Sequence, residues 1–156
     1  RYTVGSIDIE DACLVLKSGY SGKCGLFDLS DGKQVIDFRY DDIILLGFNR
    51  ALGKDGSRRY LLDTSTGDVI ASLPPNIGAA HFNETPVTWI FRAKSYYGII
   101  DEEGNILYED AKDPLTGVTK FRHGFSGGQK DNKKWGILKS DGTWLVHPTY
   151  DYIKLL

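Results

Sequence analysis

Apolar residues in this chain come in short runs, broken at close intervals by polar turns that end in glycine. Nowhere does a 3.6-residue apolar stripe persist between helix caps, so no long helix is predicted. Four segments instead share one pattern: KCGLFDLSDGKQVI (23–36), RRYLLDTSTGDVIA (58–71), YYGIIDEEGNILYE (96–109) and KWGILKSDGTWLVH (134–147). Each has an apolar run, then Asp or Lys, a polar turn closed by Gly, and a second apolar run. The turn glycines Gly32, Gly67, Gly104 and Gly142 lie 35, 37 and 38 residues apart. A run–turn–run rich in branched and aromatic residues predicts a β-hairpin, with glycine supplying the positive φ of a tight turn. Hairpins are expected near 12–36, 49–71, 86–109 and 125–147, within one domain spanning 1–156.

The pattern extends beyond the hairpins. FRYDDIILLGF (38–48) and PTYDYIKLL (148–156) share a Tyr-Asp-x-Ile element, and Gly-led runs such as GFNRALGKDGSR (47–58) and GFSGGQKDNKKW (124–135) feed the following hairpin. Each unit therefore reads as about three strands and a connector. The fourth copy carries Trp135, Gly136, Ile137, Gly142, Val146, Pro148, Tyr150, Asp151 and Ile153. The first keeps Gly25, Asp28, Gly32, Tyr40, Asp41 and Ile43, with Cys24 in the Trp position. The third keeps Tyr97, Gly98, Asp101 and Gly104, while the second, with Arg59-Tyr60 and Gly67, departs most.

On these residues the chain resembles the WG-repeat family of bacterial tandem repeats. The resemblance implies a scaffold rather than an activity. The architecture expected is all-β: four tandem antiparallel β-meander repeats of about 35–38 residues stacked in a curved array, with a small closed β-propeller as the alternative. Gly25, Gly32, Tyr40, Gly67, Gly98, Gly104, Trp135, Gly136, Gly142 and Tyr150 are read as its structural signature. Trp135 is expected to cover the apolar face of a neighbouring unit, and Gly136 to permit close approach between units.

Composition narrows the function classes. The chain has 156 residues, 41% hydrophobic and 26% charged, with a net charge of −2. No basic patch suits nucleic acid, and no apolar run is long enough for membrane insertion. The chain opens at Arg1 and contains no Met, the mark of a trimmed N-terminus that permits export; the compartment is left open. Pairing Cys13 with Phe27 and Cys24 with Leu16 across the first hairpin would aim the two sulfurs at opposite faces, so both are expected as free thiols.

Candidate chemistry is thin. GFSGG (124–128) matches a nucleophile-elbow pattern around Ser126, but no helix pattern follows it. His81, His123 and His147 lack metal-pair spacing. Asp28, Asp63 and Asp101 recur after the strand, where bonding of turn amides explains them. No catalytic, cofactor-binding or metal-ligating residue is assigned.

Two regions suggest a contact surface. Gln34, Val69, Ile106 and Trp144 share one slot, which makes Trp144 an exposed aromatic anchor or a residue buried against a cap. The segment 73–87 loses the repeat pattern but keeps Leu73, Ile77 and Phe82 between prolines, as a stiff contact loop or as core between units. The reading is a non-enzymatic binding or scaffold module with a protein as partner. A carbohydrate or cell-wall module is the alternative, and a hydrolase ranks third.

Overall fold

The computed structural model describes residues 1–83, 85–93, 95–110 and 112–154. Among these every regular element is a β-strand, arranged in four four-stranded antiparallel sheets, none closed into a barrel. Sheet one runs β1 (Tyr2–Asp8), β2 (Cys13–Ser18), β3 (Cys24–Asp28), β4 (Gln34–Tyr40). Sheet two is β5 (Asp42–Gly47), β6 (Arg50–Asp55), β7 (Arg58–Asp63) and β8 (Val69–Leu73). Sheet three is β9 (Gly78–Ala79), β10 (Val87–Arg92), β11 (Ser95–Asp101) and β12 (Ile106–Glu109). Sheet four is β13 (Gly117–Val118), β14 (Phe125–Gln129), β15 (Trp135–Lys139) and β16 (Trp144–Tyr150). Within each sheet, spatial order equals chain order.

The meander repeats appear as expected, but each has four strands, because the connector is itself a strand. Tyr40 ends one sheet and Asp42 begins the next, so the Tyr-Asp-x-Ile element is the crossing point between sheets. The chain, expected as one domain, divides into two compact units, Arg1–Ile77 and Gly78–Leu156, each holding two sheets.

The turns form as the sequence dictates. Gly32, Gly67, Gly104 and Gly142 have φ of 71°, 81°, 80° and 87°. That left-handed region is costly for a residue with a Cβ. Asp28 accepts from Ser30 N at 2.7 Å, Asp63 from Ser65 N at 2.8 Å, and Asp101 from Glu103 N at 2.9 Å. In sheet four, where Lys139 takes that position, Asp141 accepts from Thr143 N at 3.0 Å instead. These bonds favour the ionised form: the Ser30 hydroxyl and amide hold Asp28 below the usual carboxylate range.

In the first unit, one face of sheet one is sealed by sheet two. Val15, Cys24, Leu26, Ile36, Tyr40 and Ile43 are buried together with Ala51 and Leu62. Tyr40 lies edge-on to Tyr60, ring centroids 6.2 Å apart, and packs over Gly53, where a Cβ would sit 2.9 Å from the ring. Asp41 adds a polar stitch, accepting from Gly56 N in sheet two at 2.7 Å while pairing with Lys23. Gly67 presses on the β4 backbone: a Cβ there would collide with the Val35 carbonyl.

The second unit repeats this arrangement. Val87, Trp89 and Ile99 of sheet three are buried with Leu138 of sheet four, and Gly142 presses on the Leu107 carbonyl of β12.

Both cysteines are free and buried, but not for the expected reason. The β2–β3 register is one residue off that expectation, pairing Cys13 with Asp28 and Cys24 with Lys17. Both sulfurs therefore face the same core. They stand four positions apart along the strand direction, about 13 Å at the rise of a β-strand, well beyond disulfide reach. Burial, then the carboxylates of Asp8, Asp11 and Asp28, push the Cys13 thiol up to about 11.

Candidate interaction face

Most of the residues expected at a contact surface lie inside. Ile77 and Phe82 are each 1% exposed, and Leu73 is buried at the lip of a groove of about 380 Å³ shared with Arg58, Arg59, Tyr60 and Pro75. The segment 73–87, of which residue 84 lies outside those described, is no free loop. Its Gly78–Ala79 pairs with Phe91 and Ile90 as the first strand of sheet three, which carries the neighbouring apolar side chains inward. Trp144 is half-buried. It meets Tyr108 of sheet three edge-on at 6.3 Å and fills the space that Gly136 leaves.

Ser126 is packed into the core of the second unit. Its side chain is 0% exposed; Oγ accepts from Trp89 Nε1 at 3.0 Å and donates to the Thr119 carbonyl at 2.7 Å. The equivalent contact in the first unit is the apolar pair Val15 and Ala51. The hydroxyl of Ser126 thus matches the indole N–H that Trp89 brings into the core.

The Trp-Gly pair also takes a corrected role. A Cβ on Gly136 would collide with the Val146 carbonyl and lie 2.8 Å from Pro148 N, both in the next strand of the same sheet. On Gly25 it would lie 2.8 Å from the Ile36 carbonyl, and on Gly98 2.9 Å from the Tyr108 carbonyl. The glycine admits a bulged neighbour strand within a sheet, where the register breaks after Cys24 and after Trp135. Close approach between sheets is not its function. Sheet two has Tyr60 in this slot, paired regularly with Ser72, and its ring faces Tyr40.

The pairing registers align sheet four on sheet one residue by residue. Cys24, Leu26, Ile36, Tyr40 and Ile43 correspond to Trp135, Ile137, Val146, Tyr150 and Ile153. The ion pair recurs as well, Lys23 with Asp41 and Lys134 with Asp151. Surroundings do not recur. Tyr40 is 2% exposed, whereas Tyr150 is 55% exposed. Trp135, Ile137, Val146 and Ile153 are half-buried where their counterparts are buried. Among the described residues the outer face of sheet four is thus built like the sealed face of sheet one but less covered. The sequence carried this signal in the shared Tyr-Asp-x-Ile element, but not which copy would be covered.

Among the described residues no group of His, Cys, Asp and Glu could hold a metal ion, and no helix is long and apolar enough to cross a membrane.

Solved structures match in fold at low identity. The computationally designed Ika8 protein aligns with TM-score 0.53 at 11% identity over 96% of this chain and 51% of its own. The designed Ika4 protein aligns with TM-score 0.52 at 14% identity over 89% of this chain and 91% of its own. Hsv2p of Kluyveromyces lactis, a β-propeller-like fold, aligns with TM-score 0.51 at 12% identity over 93% and 49%. The chain thus spans about half the length of the Ika8 and Hsv2p chains. No curated protein matches the sequence. Residues 135–155, which include β15 and β16 of sheet four, match the family model of the WG containing repeat.

Proposed function

We propose that the protein is a non-enzymatic binding module that engages another protein through the outer face of sheet four. One observation carries this reading. A set of side chains that is buried in the first unit is only half-buried in the second, from Trp135 to Ile153, with Tyr150 exposed. Contiguous apolar surface of this kind, with aromatic members and a charged rim at Lys134 and Asp151, has the make-up of a protein contact. A glycan would favour aromatic platforms at equivalent exposed positions, and the shared slot instead holds Gln34, Val69, Ile106 and Trp144.

The test is photo-crosslinking in the native cell, with the reactive amino acid placed at position 150 or, as control, at the exposed turn position 33. Polypeptide adducts are expected from position 150 in clear excess. Equal yields from both positions would overturn the reading.

A further inference from the structure

Resting on that reading, we infer that the partner is a second copy of this chain, docking the open side of its sheet one on the outer face of sheet four. The contact between sheets one and two defines what such a partner must offer. Sheet two seals sheet one with Ala51 and Leu62 at the centre and the Tyr60 ring beside them. By register, the same positions in sheet one are Leu14 for Ala51 and Phe27 for Leu62, with Leu16 in place of Gly53. These three are half-buried and lie on the side of sheet one away from the sealed core.

The aromatic beside them is present too. Phe38 lies 3.2 Å from where a Gly25 Cβ would be, stacked on Tyr2 at 5.3 Å and tilted against Phe27 at 5.9 Å. Tyr2 and Val4 of β1 extend this side and are 61% and 62% exposed. Each chain therefore carries a face built like that which sheet two seals and, on the other side of sheet one, bulkier apolar residues at the seal's positions.

The two faces are different surfaces, so the contact is heterologous. Copies add head to tail, closing into a ring or continuing as a filament. Asp151 stands where Asp41 accepts a turn amide of the sealing sheet, so its carboxylate is placed to do the same across the contact.

The decisive experiment is sedimentation velocity on the wild-type chain and on two exposed-site variants, Val4→Asp and Tyr150→Asp. Wild type is expected to gain mass steadily with concentration. Each variant, with one face spoiled and one intact, is expected to remain monomeric with an unchanged melting temperature. An equimolar mixture of the two is expected to form a dimer and go no further, since only the intact sheet-one side of one can meet the intact sheet-four side of the other. Wild type that is monomeric at every concentration, or a mixture that yields no dimer, overturns the inference. Crosslinks from position 150 to a different polypeptide, with a monomeric wild type, would end the self-association and leave the protein-binding reading standing.

Discussion

Sheets one and four are built from matching residues, and they differ in what lies against them. Leu26 and Ile137 hold the same register position, as do Tyr40 and Tyr150. Yet the first member of each pair is sealed by Ala51 and Leu62, and the second is open to solvent to varying degrees. The repeat motif therefore encodes a surface with a required shape and apolarity, and the neighbour decides whether it becomes core or contact. Strand-internal features, by contrast, are needed in both sheets alike.

The largest effect should come from truncating the paired tyrosines. Tyr40→Ala removes a fully packed ring and is expected to cost about 3–5 kcal/mol, the range for buried aromatics. Tyr150→Ala should stay within about 0.5 kcal/mol, as exposed substitutions do. Chemical denaturation of the two variants measures the gap, and similar losses would erase the distinction between sealed and open faces.

Next are the glycines. Gly25→Val and Gly136→Val should each cost about 3 kcal/mol, because each new side chain meets a carbonyl of its own sheet. Gly128→Ala, whose Cβ meets only the ends of the Leu115, Trp144 and Leu138 side chains, should cost clearly less. Were Gly136→Val, on the side of sheet four packed against sheet three, far more harmful than Gly25→Val, on the uncovered side of sheet one, the glycine would be serving the contact between sheets after all.

Smaller still is Ser126→Ala, which strands the Trp89 indole N–H in the core at about 1–3 kcal/mol. Ala51, facing Val15 in the first unit, needs no such hydroxyl, so the loss should shrink when Ser126→Ala is combined with Trp89→Phe. Thermal melts of the single and double variants form the cycle.

The smallest expected effect is a matter of pH. The Gly56 amide, then Lys23, hold Asp41 below the usual carboxylate range. Its contribution is thus complete above the unfolded value, near about 4, and is lost as pH falls through the lower folded value. Asp41→Asn should flatten the acid limb of the stability profile and leave the neutral region sloping as before, which urea titrations across pH will show.

Local chemistry was legible in the sequence. The turn glycines and the Asp28, Asp63 and Asp101 caps depend on neighbours a few residues away, and they fell into place. Register was harder. In Cys13–Leu16 every residue is apolar, so no alternation fixes which face turns inward, and a shift of one residue reverses both cysteines. The first strand of each sheet was hidden for another reason. The two-residue strands β9 and β13 are too short to show a period, and β5 lies in the stretch whose pattern predicts a connector. Phe82 and Tyr150 show the limit for the site. An apolar side chain outside a periodic run is equally consistent with core and contact, and the outcome depends on tertiary neighbours that local pattern does not specify.

The single-residue step at Asp41, from the end of β4 to the start of β5, also has a temporal consequence. Within each sheet every strand pairs with its immediate successor, so no sheet waits for a distant partner. Low sequence separation between contacts speeds folding by limiting the loop entropy lost before contacts form. During synthesis sheet one can zip up as it emerges, yet its apolar side stays wet until Ala51 and Leu62 arrive with sheet two. The natural quantum of assembly is therefore a pair of sheets, and a nascent chain halted between them would display, for a time, the same uncovered side that sheet four keeps.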